Sequence, residues 1–94
     1  MGLADGTNSN DSGDNIFIGY LAGGGAWADA ASTSNLAIGS YAMDAIMNGA
    51  LSNVAIGQAS LTDLTTGDNN TCVGKDSGGD INTGNDNVII GYSA

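Results

Sequence analysis

A phrase that recurs five times constrains this chain more than anything else in it. Ser52-Asn53-Val54-Ala55-Ile56-Gly57 is nearly matched by Ser34-Asn35-Leu36-Ala37-Ile38-Gly39, and looser copies run from Asp14 to Gly19, Asn69 to Gly74 and Asp86 to Gly91. Each copy is an Asn, three residues of strand-forming type and a Gly. The asparagines are Asn15, Asn35, Asn53, Asn70 and Asn87, so the steps between them are 20, 18, 17 and 17. The glycines Gly19, Gly39, Gly57, Gly74 and Gly91 keep the same steps. A unit this short cannot bury an apolar face alone, whereas stacked copies can, and the stack is a solenoid.

The run after each Asn is mostly aliphatic or β-branched and too short for a helix, so it reads as a strand. Period-two alternation puts its first and third residues on one face. That face holds Ile16, Ile18, Leu36, Ile38, Val54, Ile56, Val73, Val88 and Ile90, and is taken as the inside of the coil. The middle residues Phe17, Ala37, Ala55, Cys72 and Ile89 then point outward. None is charged, and a strand apolar on both faces is usually buried on both, so this column is the expected seam between chains.

Each Gly suits a sharp corner, because it takes φ > 0 without a Cβ clash. Each Asn suits the opposite corner, since its side chain bonds nearby backbone and tolerates a left-handed conformation. Stacked coils would line the asparagines into a ladder of amide hydrogen bonds, a structural role. A weaker second strand is expected after each Gly, with Ala26, Ile46, Leu64 and Ile81 as a second apolar column, followed by polar turns at 65–69 and 82–86. Residues 1–14 read as a lead-in or incomplete rung and 15–94 as the repeat domain. The extra residues of the first unit fall at 23–29, where a bulging loop is expected. Residues 41–47 read as corner and second strand. The fifth unit stops at 91–94, as in a fragment or a protomer whose open end stacks on something.

Composition narrows function. Ten Asp, one Lys (Lys75) and no Arg, His or Glu give a net charge of −9, which argues against nucleic acid and anionic membranes as partners. No apolar run is long enough to span a membrane as a helix. Without His, Arg or Glu there is no triad, zinc site or phosphate clamp, so the chain reads as non-enzymatic and without a cofactor. The single Cys72 cannot close a disulfide within the chain and reads as a small buried hydrophobe. The stretch from Met1 to Gly25 lacks the basic start and apolar core of a secretory signal, so an extracellular or virion-surface location would be reached by lysis, another route or a longer precursor.

Calcium is the one metal to weigh. Asp11, Asp14, Asp68, Asp80 and Asp86 sit in turns that could stack oxygen ligands, although neither the calcium nonapeptide nor an EF-hand loop is present, and solvated turns are the plainer reading. Trp27 beside Asp29 is a candidate glycan contact; the alternative is a ring folded over the core or into a seam. Tyr20, Tyr41 and Tyr92 follow corner glycines, which places them on the outer surface or the subunit seam.

The Ser-Asn-Val-Ala-Ile-Gly and Ser-Asn-Leu-Ala-Ile-Gly runs resemble the head repeat of trimeric autotransporter adhesins. The 17-residue period of the later units, with Thr65-Thr66-Gly67-Asp68-Asn69-Asn70-Thr71 and Asn82-Thr83-Gly84-Asn85-Asp86-Asn87, is similar to repeats in bacteriophage tail fibres, whose ending is echoed by Gly19-Tyr20 and Gly91-Tyr92. The resemblance covers residues 14–94. It implies an all-β fold, a left-handed parallel β-roll (a parallel β-solenoid) of about five repeats at the steps given above, with three chains around one axis. It also implies a structural role in attachment to a cell-surface glycan or other receptor. Two other readings stand beside it. One is a self-assembling extracellular filament of end-stacked protomers. The other is an ice-binding solenoid, for which Thr65, Thr66 and Thr83 supply threonines in only two units.

Overall fold

The computed structural model describes residues 14–25 and 31–94. Among them lie five strands of three residues each: β1 (Ile16–Ile18), β2 (Leu36–Ile38), β3 (Val54–Ile56), β4 (Thr71–Val73) and β5 (Val88–Ile90). They form one parallel sheet in chain order, and the register never slips: Phe17 faces Ala37, Ala37 faces Ala55, Ala55 faces Cys72 and Cys72 faces Ile89. The fold is a parallel β-solenoid of about four turns. Parallel strands need a crossover between them, and here each crossover is the rest of the rung.

The two faces of the sheet are the reverse of the expected ones. Phe17, Ala37, Ala55 and Cys72 are buried at 1% exposure or less, and Ile89 packs against the same core. The first and third strand residues look outward, with Ile16, Val88 and Ile90 at 47%, 74% and 69% exposure. The column expected at the seam is thus the core, and the expected core is an outer face. The reason lies in the Asn ladder. Asn15, Asn35, Asn53 and Asn70 are buried, so their side chains point into the coil. Alternation counted from an inward Asn sends the next residue out, the middle strand residue in and the third out.

The ladder itself is continuous. Asn35 donates from both its backbone N–H and Nδ2 to Asn15 Oδ1, at 2.9 and 3.1 Å. Asn53 does the same to Asn35 Oδ1, Asn70 to Asn53 Oδ1 and Asn87 to Asn70 Oδ1, all at 2.9–3.1 Å. The second Nδ2 hydrogen reaches a backbone carbonyl further along the chain: Ser32 from Asn15, Ala50 from Asn35, Gly67 from Asn53 and Gly84 from Asn70. Among the described residues no buried side-chain nitrogen or oxygen lacks a partner. Buried serines follow the same rule. Ser60 and Ser77 hydroxyls pair at 3.0 Å, and Ser32 Oγ accepts from the N–H groups of Gly49 and Ala50.

The weaker second strand is absent from the described residues; only a single bridge, Thr33 with Leu51, lies outside the five strands. A corner turned in left-handed steps takes its place. Each corner Gly has φ near 130°, and a Cβ on Gly57 would sit 2.6 Å from the Gly74 backbone. Two residues further on, Leu21, Tyr41, Ala59, Asp76 and Ser93 have φ of 54–63°, and four residues on, Gly23, Met43, Leu61 and Gly78 have φ of 50–63°. Such angles break an extended strand. A left-handed non-Gly residue costs about 1–3 kcal/mol and persists only where its surroundings hold it. Here the holding comes from bonds between rungs: Tyr41 N–H to Tyr20 O at 2.9 Å, Met43 N–H to Ser60 O at 3.0 Å and Leu61 N–H to Ser77 O at 3.0 Å.

The opposite corner also differs in detail. The left-handed residue is not the Asn but the one before it: Asp14, Ser34, Ser52, Asn69 and Asp86, at φ of 58–61°. The second apolar column is buried at Leu64 and partly at Ile81, but its member in the second unit is Met47, with Ile46 left 54% exposed. The step from Asn35 to Asn53 is one longer than those that follow it, which moves the column on by one. Ala26 lies outside the described residues, as do 1–13 of the expected lead-in and most of the bulge at 23–29.

Side-chain size is traded within each rung. A Cβ on Gly23 would overlap the Phe17 ring, and one on Gly78 would sit 2.6 Å from Cys72 Sγ. By the same register, Ala37 is matched with Met43 and Ala55 with Leu61, all fully buried. Phe or Cys in the strand thus meets glycine six positions later, and alanine, smaller than either, meets Met or Leu. The interior is narrow, and close packing allows one bulky group of the pair but not two.

Candidate functional site

Among the described residues, one feature facing solvent is the outer face of the sheet. Ile16, Leu36, Val54, Thr71 and Val88 form one column, and Ile18, Ile38, Ile56, Val73 and Ile90 the other. Nine of these ten residues are aliphatic and none is charged. The inner rungs shade one another, so Leu36, Ile38, Val54, Ile56 and Val73 are half-buried. Parallel pairing keeps each column straight, so the face is a regular apolar strip with a rung spacing of about 4.8 Å. Contiguous exposed apolar surface of this kind marks an interaction site more often than a solvated one.

A second feature runs along the glycine corner. Tyr41, Ala59, Asp76 and Ser93 each donate a backbone N–H to the carbonyl of Tyr20, Ser40, Gln58 and Lys75 respectively, at 2.8–2.9 Å. These bonds align Tyr20, Ser40, Gln58, Lys75 and Tyr92 as one outward column. Tyr20 and Tyr92 are 66% and 73% exposed. The Tyr20 and Tyr41 rings meet at 85° with centroids 5.6 Å apart, and Lys75 Nζ lies 5.8 Å from the centroid of the Tyr92 ring. The placement of tyrosines after corner glycines was legible in the sequence; their alignment with Ser40, Gln58 and Lys75 needed the register.

Among the described residues the aspartates do not converge. Asp14 and Asp86 share one column but sit four rungs apart, roughly 19 Å at the strand spacing. Asp68 accepts a hydrogen bond from Leu51 N–H at 2.9 Å, Asp86 accepts one from Asn69 Nδ2 at 3.2 Å, and Asp80 is exposed. No group of three or more His, Cys, Asp or Glu residues comes close enough to hold a metal among the described residues. Asp11, Trp27 and Asp29 lie outside them. Thr65 Oγ1 is bonded to Asn82, while Thr66 and Thr83 are exposed on neighbouring rungs.

Cys72 stands within the core, walled by Gly78 and Leu61. Burial pushes its thiol pKa up by removing solvation from the thiolate. Two outcomes are expected. A thiol reagent should label the native protein far more slowly than the urea-unfolded one. Stability should also fall as pH rises past the unfolded thiol's ordinary value of 9.0, because the unfolded chain then gives up a proton that the folded chain retains. Cys72→Ala copies the residue at positions 37 and 55, so it separates this contribution from other groups that titrate there. Its urea midpoint should drop less than the wild type's between pH 8 and pH 10.

Comparison with protein-family models, with curated proteins and with solved structures finds no match to this chain.

Proposed function

We propose that the chain is a non-enzymatic structural module, a fibre segment of a phage tail fibre or surface adhesin. In this reading, three identical coils associate side by side at an extracellular or virion surface and support attachment to a receptor. The observation that carries it is the outer apolar face. The face is uncovered in the single chain, uncharged and repeated at every rung, so a second copy can match it rung for rung. Fully burying an exposed aliphatic side chain contributes about 1.5–3 kcal/mol; Ile16, Val88 and Ile90 are exposed, and the six half-buried aliphatic members of the strip each contribute less. None of the ten strip residues is an Asp, which lets copies with a charge of −9 meet on these side chains without bringing a carboxylate from the strip itself into the contact. The number three rests on the repeat resemblance.

Light scattering on the purified chain tests the proposal. The wild type is expected at three times the chain mass. Ile56→Asp, on the outer face, should reduce it to the monomer while keeping most of the thermal stability, since the side chain is only half-buried in one chain. Asp63→Lys, at an exposed position, should leave the trimer intact. A wild-type monomer would sink the association reading. Fibres seen by electron microscopy to lengthen from pure protein would favour the end-stacked filament instead.

A further inference from the structure

We infer that the glycine corner is a binding site for a linear β-1,4-linked glycan lying along the solenoid axis. Tyr20 with Tyr41 marks one end, Tyr92 marks the other, and Ser40, Gln58 and Lys75 stand between them. The inference rests on the attachment reading for its purpose, but not on the association of chains.

Three observations converge on it. The first is aromatic exposure. Tyr20 and Tyr92 keep 66% and 73% of their surface in water, well out in solvent for a residue type of intermediate burial. Tyr41 stands edge-on to Tyr20, so the two rings form a right-angled corner rather than a lone flexible side chain. A tyrosine ring offers a flat apolar face with a hydroxyl at its tip, at little cost in ordering. A pyranose ring is the complementary object, with C–H groups on its faces and hydroxyls around its rim.

The second observation is the chemistry between the rings. Ser40 offers a hydroxyl, Gln58 an amide that both donates and accepts, and Lys75 an ammonium. This set suits neutral hydroxyls better than an anionic polymer, which the net charge of −9 would repel. Lys75 already engages the Tyr92 ring, which steadies both groups.

The third is the spacing. Successive members of the column are one rung apart, about 4.8 Å, so Tyr20 and Tyr92 are separated by about 19 Å. An equatorial β-1,4 linkage extends a glycan as a ribbon that advances by nearly the same step per sugar. Each sugar of a pentasaccharide can then meet its own rung.

The test uses the full chain, titrated by calorimetry with two probes, the β-1,4-linked pentasaccharides of glucose and of N-acetylglucosamine. At least one should bind, and its disaccharide should bind at least about tenfold more weakly. Tyr20→Ala combined with Tyr41→Ala, and separately Tyr92→Ala, should each weaken binding by about tenfold or more. Tyr92→Phe should retain most of the affinity. Circular dichroism should show each variant folded, and light scattering should show its oligomeric state unchanged. Failure of both pentasaccharides to bind, or affinity unaltered by the alanine variants, overturns the inference. Binding of a proline decapeptide at this corner in place of the sugars overturns it too, in favour of a peptide partner. A trimer that binds no glycan leaves the fibre reading standing. A monomer that binds through these tyrosines removes the side-by-side association and keeps the site.

Discussion

Asn53→Ala is expected to destabilise the solenoid by about 2–6 kcal/mol, which is the cost of leaving two buried backbone groups without partners at roughly 1–3 kcal/mol each. The two groups are identifiable. Asn70 N–H donates to Asn53 Oδ1 at 2.9 Å, and the Gly67 carbonyl accepts from Asn53 Nδ2 at 2.8 Å. Both residues are buried, so water cannot replace the lost amide. Asn35 Oδ1 would still accept from the residue 53 backbone N–H, and Asn70 Nδ2 would still donate one hydrogen to the Gly84 carbonyl, so beyond these two backbone groups the loss is confined to the other Nδ2 hydrogen of Asn70. A domain of this size is stable by about 5–15 kcal/mol, so the variant should lose a large share of its urea midpoint. Asn53→Asp keeps an acceptor but loses both amide donors and buries a charge, so it should fare no better than Ala. An Asn53→Ala midpoint close to the wild type's would show that the ladder contributes nothing to stability.

The second large effect lies in the traded sizes of the core. Phe17→Ala should cost about 3–5 kcal/mol through lost burial and the cavity left behind. Gly23→Met alone should also destabilise, since its side chain has nowhere to go while the Phe17 ring is present. Together, the two changes reproduce the Ala37 and Met43 arrangement already found one rung on. Met43 has φ of 50° and Gly23 has 63°, so the backbone accepts the exchange with little change. The double variant should be more stable than Phe17→Ala, with a coupling of at least about 1 kcal/mol, inside the range seen for residues in direct contact. Additive losses in chemical denaturation would refute the pairing of positions six apart.

The five strands were legible from the recurrence of Asn, three residues and Gly, and so was the parallel stacking. Which way the strands face was legible too, but from a different residue than the strand's own. All three strand positions are apolar in most copies, so hydrophobicity cannot choose between faces. The Asn can, because a hydrogen-bonded ladder with buried amides fixes the inward phase, and its consequence for Ala55 against Val54 and Ile56 follows by counting two. Small residues at 37 and 55 were a second signal, since a coil this narrow favours alanine inside. The corner was harder to read. Tyr41, Met43 and Leu61 are poor advertisements for left-handed backbone, and bonds between rungs, invisible to local propensity, hold them there. The tyrosine stripe depended on the same register. Residues 20, 40, 58, 75 and 92 become neighbours only once the unequal first and second units are aligned on their glycines.

The ladder reaches back by a fixed stride. Each described Asn beyond the first takes its bonds from the Asn one rung earlier, and the strand pairs span the same intervals. The bonds a rung makes forward reach only the next rung, as Leu36 N–H does to the Asn53 carbonyl, so none of them has to await residues further off. At about 5–20 residues per second of synthesis, one rung leaves the ribosome in about one to four seconds. Closing a short loop takes well under a millisecond. Each coil can therefore settle on the one before it while the next is still being made, so that the chain grows as it is translated, its N-terminal rungs serving as the template for all that follow.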